Sequence, residues 1–413
     1  ISATRARNCW RDSLKSLVLV FVRSGRRGPG FEFRGFSFEF RDASFVGAAG
    51  EISDSEFRIP NSSEAMISVD HKTILNGLLA GQNLEPQKME EFIGAVMDGG
   101  VEDVVVAAVL AALRGKGETG AEVAAAARAM RARAVPVKVE SPEKSIDTCG
   151  TGGDGAETIN ISTTAALLVA AAGVPVAKHG NRSVSSRCGS ADVLEAAGVL
   201  LDLSSEMMAT LHDEIGIAFL FAPRLHPAMK AVMPVRRALG VRTVFNLLGP
   251  LTNPAGVERQ VIGVWGADVQ ELMAAALANL GARHALVVHS GDGLDEISVC
   301  APTAVIEVRD GEVAGTWQID PAAFAIEVTD PVSLKGGDVD ENLHRMRAIL
   351  SGEEESAASD AVALNAGAGL YVAGEVADLE AGFRRASEVR RSGAALERLE
   401  KWADRSQELS TGG

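Results

Sequence analysis

The chain has 413 residues, which is enough for one large domain and a smaller one. Apolar residues make up 46% and charged residues 23% of the sequence, proportions that are ordinary for a globular protein. The formal net charge of -15 excludes wholesale binding to nucleic acid, which needs a basic face. The cysteines form no CxxC pair, and their spacing suggests neither a zinc site nor a disulfide framework. We therefore expect a reducing compartment, the cytoplasm. No apolar run has the length of a membrane span.

Residues 1–66 differ in character from the rest of the chain. The stretch Phe31–Phe40 alternates phenylalanine with polar residues and has no evident partner, and the segment begins rich in arginine. We expect 1–66 to be disordered or absent from the mature protein, as upstream sequence or as a targeting or regulatory extension. If it were a transit peptide, the location would be organellar.

The segment 67–135 has the apolar spacing of amphipathic helices. The first helix is indicated by Ile74, Leu75, Leu78 and Leu79, and Gly81 ends it. A second helix starts near Pro86, and further helices are predicted at about 101–114 and 120–132. The sequence therefore predicts a small α-helical domain, followed by a linker at 136–142.

Short apolar runs and helical stretches alternate from 140 to 400. Val174–Ala177, Gln260–Trp265 and Ala285–His289 have the length of strands, and Asp268–Leu280 is typical of an intervening helix. This alternation predicts a large α/β domain with a mostly parallel sheet. Ligands of such sheets bind beyond the carboxyl ends of the strands, where the polar segments described next also lie.

The first polar segment, Asp147–Asp154, is a glycine-rich loop after a strand. Its glycines permit close approach of the backbone to a ligand. Asn160–Thr163 then opens a helix predicted at Thr164–Ala172, with Ser162 or Thr163 as the N-cap. Free N–H groups at a helix N-terminus suit a pyrophosphate, and the Ser162 hydroxyl suits Mg²⁺.

The second polar segment is the basic loop Lys178–Ser186, which follows the predicted strand Val174–Ala177. Lys178 and Arg182 supply positive charge, and the hydroxyl and N–H groups of the loop supply directed hydrogen bonds to a phosphate. His179 alone is more typical of a structural histidine than of a catalytic base. Ser190 is predicted to be the N-cap of the next helix.

Two further segments complete the candidate site, and a third is given a packing role. Asp295 and Glu296 are adjacent on a glycine-rich loop after a predicted strand, and Mg²⁺ favours such carboxylates together with substrate phosphates. Arg236 or Arg237 could hold a substrate carboxylate, although an interface ion pair is equally compatible with the sequence. Phe245–Pro254 is interpreted as a packing loop.

In order and spacing, these segments resemble the anthranilate phosphoribosyltransferases over about residues 67–400. The resemblance implies a small helical domain and a large α/β domain, an active site in the hinge cleft, and a homodimer. It implies transfer of the phosphoribosyl group of phosphoribosyl pyrophosphate (PRPP) to the amine of anthranilate, in L-tryptophan biosynthesis, with two Mg²⁺ ions per site.

The resemblance also implies roles for individual residues. Ser162, Asp295 and Glu296 would serve the metal, and Gly150, Asn181 and Arg236 would contact anthranilate. Lys178, Arg182, Asp295 and Glu296 would be the catalytic residues, the first two neutralising the leaving pyrophosphate. PRPP would be contacted by Gly150, Gly153, Asp154, Thr158, Asn160, Ile161, Ser162, Thr163, Lys178, His179, Gly180, Asn181, Arg182, Ser183, Val184, Ser185, Ser186 and Ser190.

Two other readings remain open from the sequence. A pyrimidine nucleoside phosphorylase shares this architecture and a phosphate-binding glycine loop, but it would not need the acidic pair. A non-catalytic homologue could keep the fold for binding, and it would lack substrate residues or present a basic surface.

Overall fold

The computed structural model describes residues 70–182 and 187–411. The extension predicted at 1–66 lies outside the described residues, as do Ser183, Val184, Ser185 and Ser186 of the basic loop. Within the described ranges, none of the helices combines the length and the apolar character needed to cross a membrane.

The helical domain has the four helices predicted from apolar spacing, α1 (His71–Leu79), α2 (Pro86–Met97), α3 (Asp103–Lys116) and α4 (Gly120–Arg131). Thr119 and Glu122 form a capping box at the start of α4. The buried Glu122 carboxylate also accepts from Leu84 N at 2.7 Å and pairs with Lys116 at 3.0 Å. One carboxylate therefore joins the start of α4, the end of α3 and the α1–α2 connection.

The α/β domain contains a seven-stranded sheet, with five parallel strands followed by an antiparallel pair at one edge. Its order is β3-β2-β1-β4-β5-β6-β7, so the chain reverses direction across the sheet between β1 and β4. This is the topological switch point at which open α/β sheets bind ligands. The strands are β1 (Ile146–Gly150), β2 (Val176–Gly180), β3 (Ile217–Phe221), β4 (Arg259–Gly263), β5 (His284–Ser290), β6 (Thr303–Arg309) and β7 (Glu312–Ile319).

Helices cover both faces of the sheet, as the alternating apolar pattern predicts. They are α5 (Ile161–Ala171), α6 (Ser190–Ala196), α7 (Ser205–Ile215), α8 (Ala222–Leu225), α9 (Met229–Leu239), α10 (Leu248–Leu251), α11 (Ala267–Asn279), α12 (Val339–Ser351), α13 (Ala357–Ala373), α14 (Leu379–Ser392) and α15 (Ala394–Thr411). Successive β5 residues point to opposite faces, so Leu286 and Val288 join one apolar core while Ala285 and Val287 join the other.

The second of these cores also contains the apolar residues of the helical domain. Helix α4 of that domain packs against the α/β domain, and α9 of the α/β domain packs against the helical domain. Gly120 of α4 lies against α11, where a Cβ atom on Gly120 would come within 2.5 Å of Ala275 Cβ. Val232 and Val235 of α9 are buried in the same core. Because α9 packs on α2 and α3, the segment that carries Arg236 lies at the junction of the two domains.

A close backbone contact ties β4 to the loop after β5. A Cβ atom on Gly263 would lie 1.5 Å from the main-chain oxygen of Asp295. We therefore expect Gly263→Ala to lower the free energy of unfolding by about 3 kcal/mol or more, since backbone must move to admit the methyl group. Gly315→Ala, in β7 with open space at its Cβ, is the matched control. Chemical unfolding of both variants measures the difference, and equal effects would contradict the contact.

Candidate functional site

The glycine-rich loop after β1 lies at the switch point. Thr151 N donates to the carbonyl of Gly263 in β4 at 2.8 Å, and Gly152, Gly153 and Gly155 all have positive φ, which glycine adopts without strain. The N–H groups of Gly153, Asp154 and Gly155 donate to nothing in the described part of the chain. Consecutive unpaired N–H groups of this kind form anion-binding concavities.

The buried carboxylate of Asp295 is fixed beneath this loop. Its Oδ2 accepts from Gly152 N at 2.7 Å, and its own N–H donates to Asp154 Oδ2 at 3.4 Å. A Cβ atom on Gly150 would come within 2.5 Å of Asp295 Oδ2, so the glycine makes room for the carboxylate. Burial, together with the nearby Glu296 and Asp154, raises the pKa of Asp295 well above its usual value.

Glu296 reaches the first turn of α5, where its Oε1 accepts from Ser162 N at 3.2 Å. Burial raises the pKa of Glu296 to about 7. The prediction that Ser162 or Thr163 is the N-cap is wrong, because α5 begins at Ile161 with Asn160 at the N-cap position. A carboxylate from a distant loop satisfies the Ser162 N–H, so the helix can start three residues before the predicted bound.

Asn160 acts as a bridge instead of a cap. Its Nδ2 donates to the Cys188 carbonyl at 3.2 Å, and its Oδ1 accepts from Asn342 at 3.1 Å. Nearby, Thr163 donates to the Ser190 hydroxyl at 2.8 Å. Ser190 is the first residue of α6 rather than its N-cap, which is Gly189, so that prediction was also wrong. The starts of α5 and α6 therefore lie side by side.

Lys178 and His179 lie in β2 and are buried, so the prediction that the basic loop begins at Lys178 is wrong by three residues, because β2 extends to Gly180. The Lys178 ammonium donates to the carbonyl of Thr148 in β1. Asp147 accepts from His179 N at 3.2 Å and from Asn253 Nδ2 at 2.9 Å, and its burial raises its pKa to about 6. The loop 245–254 is therefore more than the packing loop that we predicted, because Asn253 also ties Asp147 to β2.

The same loop contacts His179, which forms a pair of buried histidines with His226. His179 Nδ1 lies 2.9 Å from the Gly249 carbonyl, which can only accept, so this nitrogen carries the proton. Its Nε2 is then an acceptor for His226 Nε2, at 3.1 Å. Burial lowers the pKa of His179 to about 4 and that of His226 to about 3. Both rings are neutral at pH 7, and both ring nitrogens of His179 are engaged by protein groups.

We expect this pair to make the protein lose stability in mild acid. The folded pKa values lie below the ordinary 6.5, so the unfolded chain binds more protons as the pH falls from about 6.5 to 4. In His226→Gln the amide can still donate to His179. This variant should lose about 2 kcal/mol less stability than wild type between pH 7.5 and pH 5, measured by urea unfolding. If the two proteins lost the same stability between pH 7.5 and pH 5, the assignment of His226 as a buried neutral histidine would be contradicted.

Arg182 follows β2 and is paired with acids of α6. Its Nη1 lies 3.1 Å from Asp192 and its Nη2 lies 2.7 Å from Glu195. Asn181 is exposed, and its Oδ1 accepts from Arg182 N at 2.8 Å. Arg182 would have to exchange carboxylates for a phosphate to act on a ligand, so its catalytic role stays a prediction. Gly180, the last residue of β2, packs against the Phe219 ring.

Thr158 closes the glycine loop. It forms an isolated bridge with Lys335, and the Gly336 N–H donates to the carbonyl of Glu157 at 2.9 Å. The loop is therefore held at its far end by the segment before α12, which had no part in the sequence prediction.

Arg236 is a partly buried arginine on α9. Burial lowers the pKa of its guanidinium. The guanidinium forms neither a hydrogen bond nor an ion pair with residues 70–182 or 187–411. A partly desolvated guanidinium with no protein partner is suited to a carboxylate ligand. The interface ion pair that the sequence left open is not formed among the described residues.

Sequence reasoning missed Arg242, which lies three residues after the end of α9. Its Nη2 donates to the Gly153 carbonyl at 2.6 Å, and its guanidinium lies 4.2 Å from the centre of the Trp265 ring. No sequence motif marks Arg242, His226 or Asn253 as neighbours of the glycine loop or of β2. Only the topology brings them there.

The structure joins a helical bundle to an α/β sheet, and unpaired loop N–H groups lie beside two carboxylates at the switch point. These features are typical of a class of protein that binds a phosphorylated ligand. The chain matches such a class along most of its described length. Residues 72–134 match the helical bundle domain of a glycosyl transferase family, and residues 142–396 match its a/b domain. The chain is therefore a glycosyltransferase, and the predicted fold class is confirmed.

Individual relatives narrow the class. The anthranilate phosphoribosyltransferase of Desulfatibacillum aliphaticivorans is 51% identical over 335 residues, 81% of this chain and 98% of that protein. The Thermus thermophilus anthranilate phosphoribosyltransferase is 46% identical in sequence. Its crystal structure matches 81% of this chain and 99% of the Thermus chain with a TM-score of 0.77. The Saccharomyces cerevisiae enzyme in complex with PRPP and Mg is 25% identical, with a TM-score of 0.75 over 83% and 99%. The chain belongs to the anthranilate phosphoribosyltransferase family.

Proposed function

We propose that this chain transfers the phosphoribosyl group of PRPP to the amine of anthranilate, giving N-(5-phosphoribosyl)anthranilate and pyrophosphate, in L-tryptophan biosynthesis. One observation carries the proposal. Asp295 holds the glycine loop through Gly152 N, and Glu296 holds the start of α5 through Ser162 N. Two adjacent carboxylates thus link both candidate phosphate-binding elements.

The donor set fits magnesium. Asp295, Glu296 and the Ser162 hydroxyl are hard oxygen ligands, and Mg²⁺ usually takes one or two carboxylates with phosphate oxygens and water. The described residues contain no cluster of three His, Cys, Asp or Glu side chains that could hold a metal alone. This agrees with a metal held jointly by protein and pyrophosphate, and we propose two ions per site. Bound there, Mg²⁺ would neutralise charge on the leaving pyrophosphate.

The reaction forms a bond from the anthranilate nitrogen to ribose C1 and breaks the bond from C1 to the pyrophosphate oxygen. The electron pair leaves with pyrophosphate, and the amine proton passes to solvent or to the leaving group. An aromatic amine is unprotonated at neutral pH, so no strong base is needed. Lys178 and the loop N–H groups would stabilise the departing charge, and the site would act mainly by positioning and electrostatics.

The remaining site assignments extend this proposal. PRPP would lie along the glycine loop, the starts of α5 and α6, and the basic loop. Anthranilate would lie towards α9, with its carboxylate at Arg236 and with Gly150 and Asn181 alongside. The cleft between a helical domain at 67–135 and an α/β domain at 140–400 would contain the site. The absence of a protein partner for Arg236 among the described residues supports its role.

A fluorescence assay tests the reaction. Purified protein, anthranilate, PRPP and Mg²⁺ are combined, and each component is omitted in turn. Loss of anthranilate fluorescence only in the complete mixture is the expected result. If folded protein gives no loss, phosphorolysis of thymidine or uridine tests the nucleoside phosphorylase alternative. No turnover of either kind would favour the non-catalytic homologue.

We also propose a homodimer and a cytoplasmic location. Leu79 and Val104 on the helical domain are each 70% exposed, and a second copy could cover them. The thiols of Cys149 and Cys300 form no disulfide, which agrees with a reducing compartment. Light scattering on the purified chain would measure its oligomeric state.

A further inference from the structure

Arg242 connects two parts of the candidate site that are far apart in sequence. It follows α9, which carries Arg236, and its Nη2 donates to the Gly153 carbonyl at 2.6 Å. The same guanidinium stacks on Trp265, which follows β4. A Cβ atom on Gly153 would come within 2.9 Å of Arg242 Nη2, so the glycine admits this contact.

This hydrogen bond also determines where a neighbouring N–H points. A trans peptide is planar, so its carbonyl and the N–H of the next residue point in opposite directions. Because Arg242 holds the Gly153 carbonyl on one side, the Asp154 N–H is directed to the other. That N–H and those of Gly153 and Gly155 have no acceptor among the described residues. The peptide could otherwise rotate and present its carbonyl, which repels a phosphate.

The charge of Arg242 is also uncompensated, unlike that of Arg182. No carboxylate lies within ion-pair distance of Arg242 in the ranges that the structure describes, whereas Arg182 pairs with Asp192 and Glu195. A fixed positive charge beside the glycine loop lowers the electrostatic cost of bringing a pyrophosphate to it.

We propose that Arg242 is a positioning residue for the phosphoribosyl donor. It holds the Gly153 carbonyl out of the site, so that the N–H groups of the glycine loop face the donor phosphates. Trp265 in turn restricts the guanidinium to the orientation that makes this bond. The inference rests on the proposed function, and it adds a residue outside the phosphate-binding segments themselves.

Steady-state kinetics of Arg242→Ala and Arg242→Lys test the role. Arg242→Ala should raise the KM for PRPP about tenfold, the loss of one charge-assisted hydrogen bond, and change the KM for anthranilate by less than about twofold. Arg242→Lys should recover most of the loss, because an ammonium can donate to the same carbonyl. Arg347→Ala, an exposed arginine on α12, is the control and should match wild type.

A binding measurement separates this inference from the proposed reaction. Inorganic pyrophosphate with Mg²⁺ should raise the melting temperature of wild type and of Arg242→Lys more than that of Arg242→Ala. If pyrophosphate raises the melting temperature of wild type more than that of Arg242→Ala, but wild type shows no turnover, the proposed reaction fails and the positioning role stands. The role would be overturned if Arg242→Ala kept the wild-type KM for PRPP and the wild-type rise in melting temperature with pyrophosphate. Equal rises in both KM values, or a lower melting temperature as the only effect, would overturn it as well.

Discussion

Replacing Asp295 and Glu296 together with alanine is expected to reduce turnover by more than tenfold, on the order of 10²-fold, and to weaken the dependence on Mg²⁺. The two carboxylates accept from the glycine loop and from the start of α5, and the Asp154 carboxylate accepts from Asp295 N. Without them a metal would keep as candidate ligands near the loop only the Asp154 carboxylate, the Ser162 hydroxyl, phosphate oxygens and water. The measurement is kcat over a range of Mg²⁺ concentrations at saturating PRPP and anthranilate.

An isosteric pair of substitutions separates loss of the metal site from loss of structure. In Asp295→Asn with Glu296→Gln, the amide oxygens can still accept from Gly152 N and Ser162 N. Burial raises both carboxyl pKa values, so neutral amides should leave the metal-free protein at least as stable as wild type. Activity should nevertheless fall as in the alanine variant.

Asp292→Asn is the matched control, because Asp292 lies on the same loop and bonds Ser298 within it at 2.6 Å. It should keep turnover within about threefold of wild type. Near-normal activity and an unchanged Mg²⁺ requirement in the double alanine variant would remove Asp295 and Glu296 from the mechanism.

Replacing Arg236 with alanine is expected to raise the KM for anthranilate on the order of 30- to 100-fold, and that for PRPP by less than about threefold. A partly buried guanidinium with no partner among the described residues loses water on folding without gaining an ion pair. A substrate carboxylate supplies that pair, so its contribution should appear in acceptor binding alone. Initial rates with each substrate varied at saturating levels of the other measure the two constants.

Arg236→Lys tests the geometry of that contact. An ammonium keeps the charge but cannot make two parallel hydrogen bonds to a carboxylate, so its anthranilate KM should lie between those of wild type and alanine. The exposed Arg347→Ala again serves as the control for loss of an arginine. Equal changes in the KM of both substrates would refute the carboxylate role.

Local pattern determined the elements of the fold. The pattern that predicts α2 and α4 is the spacing of apolar residues three or four positions apart, and the pattern that predicts β4 and β5 is a short apolar run. Both patterns involve only residues close in sequence, so they can be recognised without the structure. The start of α5 was mispredicted for the converse reason. Glu296 satisfies Ser162 N from 134 residues away, a contact that local propensity does not contain.

The sequence by itself determined which side chains could bind phosphate, metal and carboxylate, because glycine-rich turns, basic loops and paired acids carry their chemistry locally. Only the tertiary structure decided how they are partnered. It paired Arg182 with Asp192 and Glu195, left Arg236 without a partner among the described residues, and brought Arg242 to Gly153. The contact of Arg242 with Gly153 depends on the strand order, because β1 and β4 are neighbours and place the loop with Gly153 beside Trp265 at one edge of the sheet.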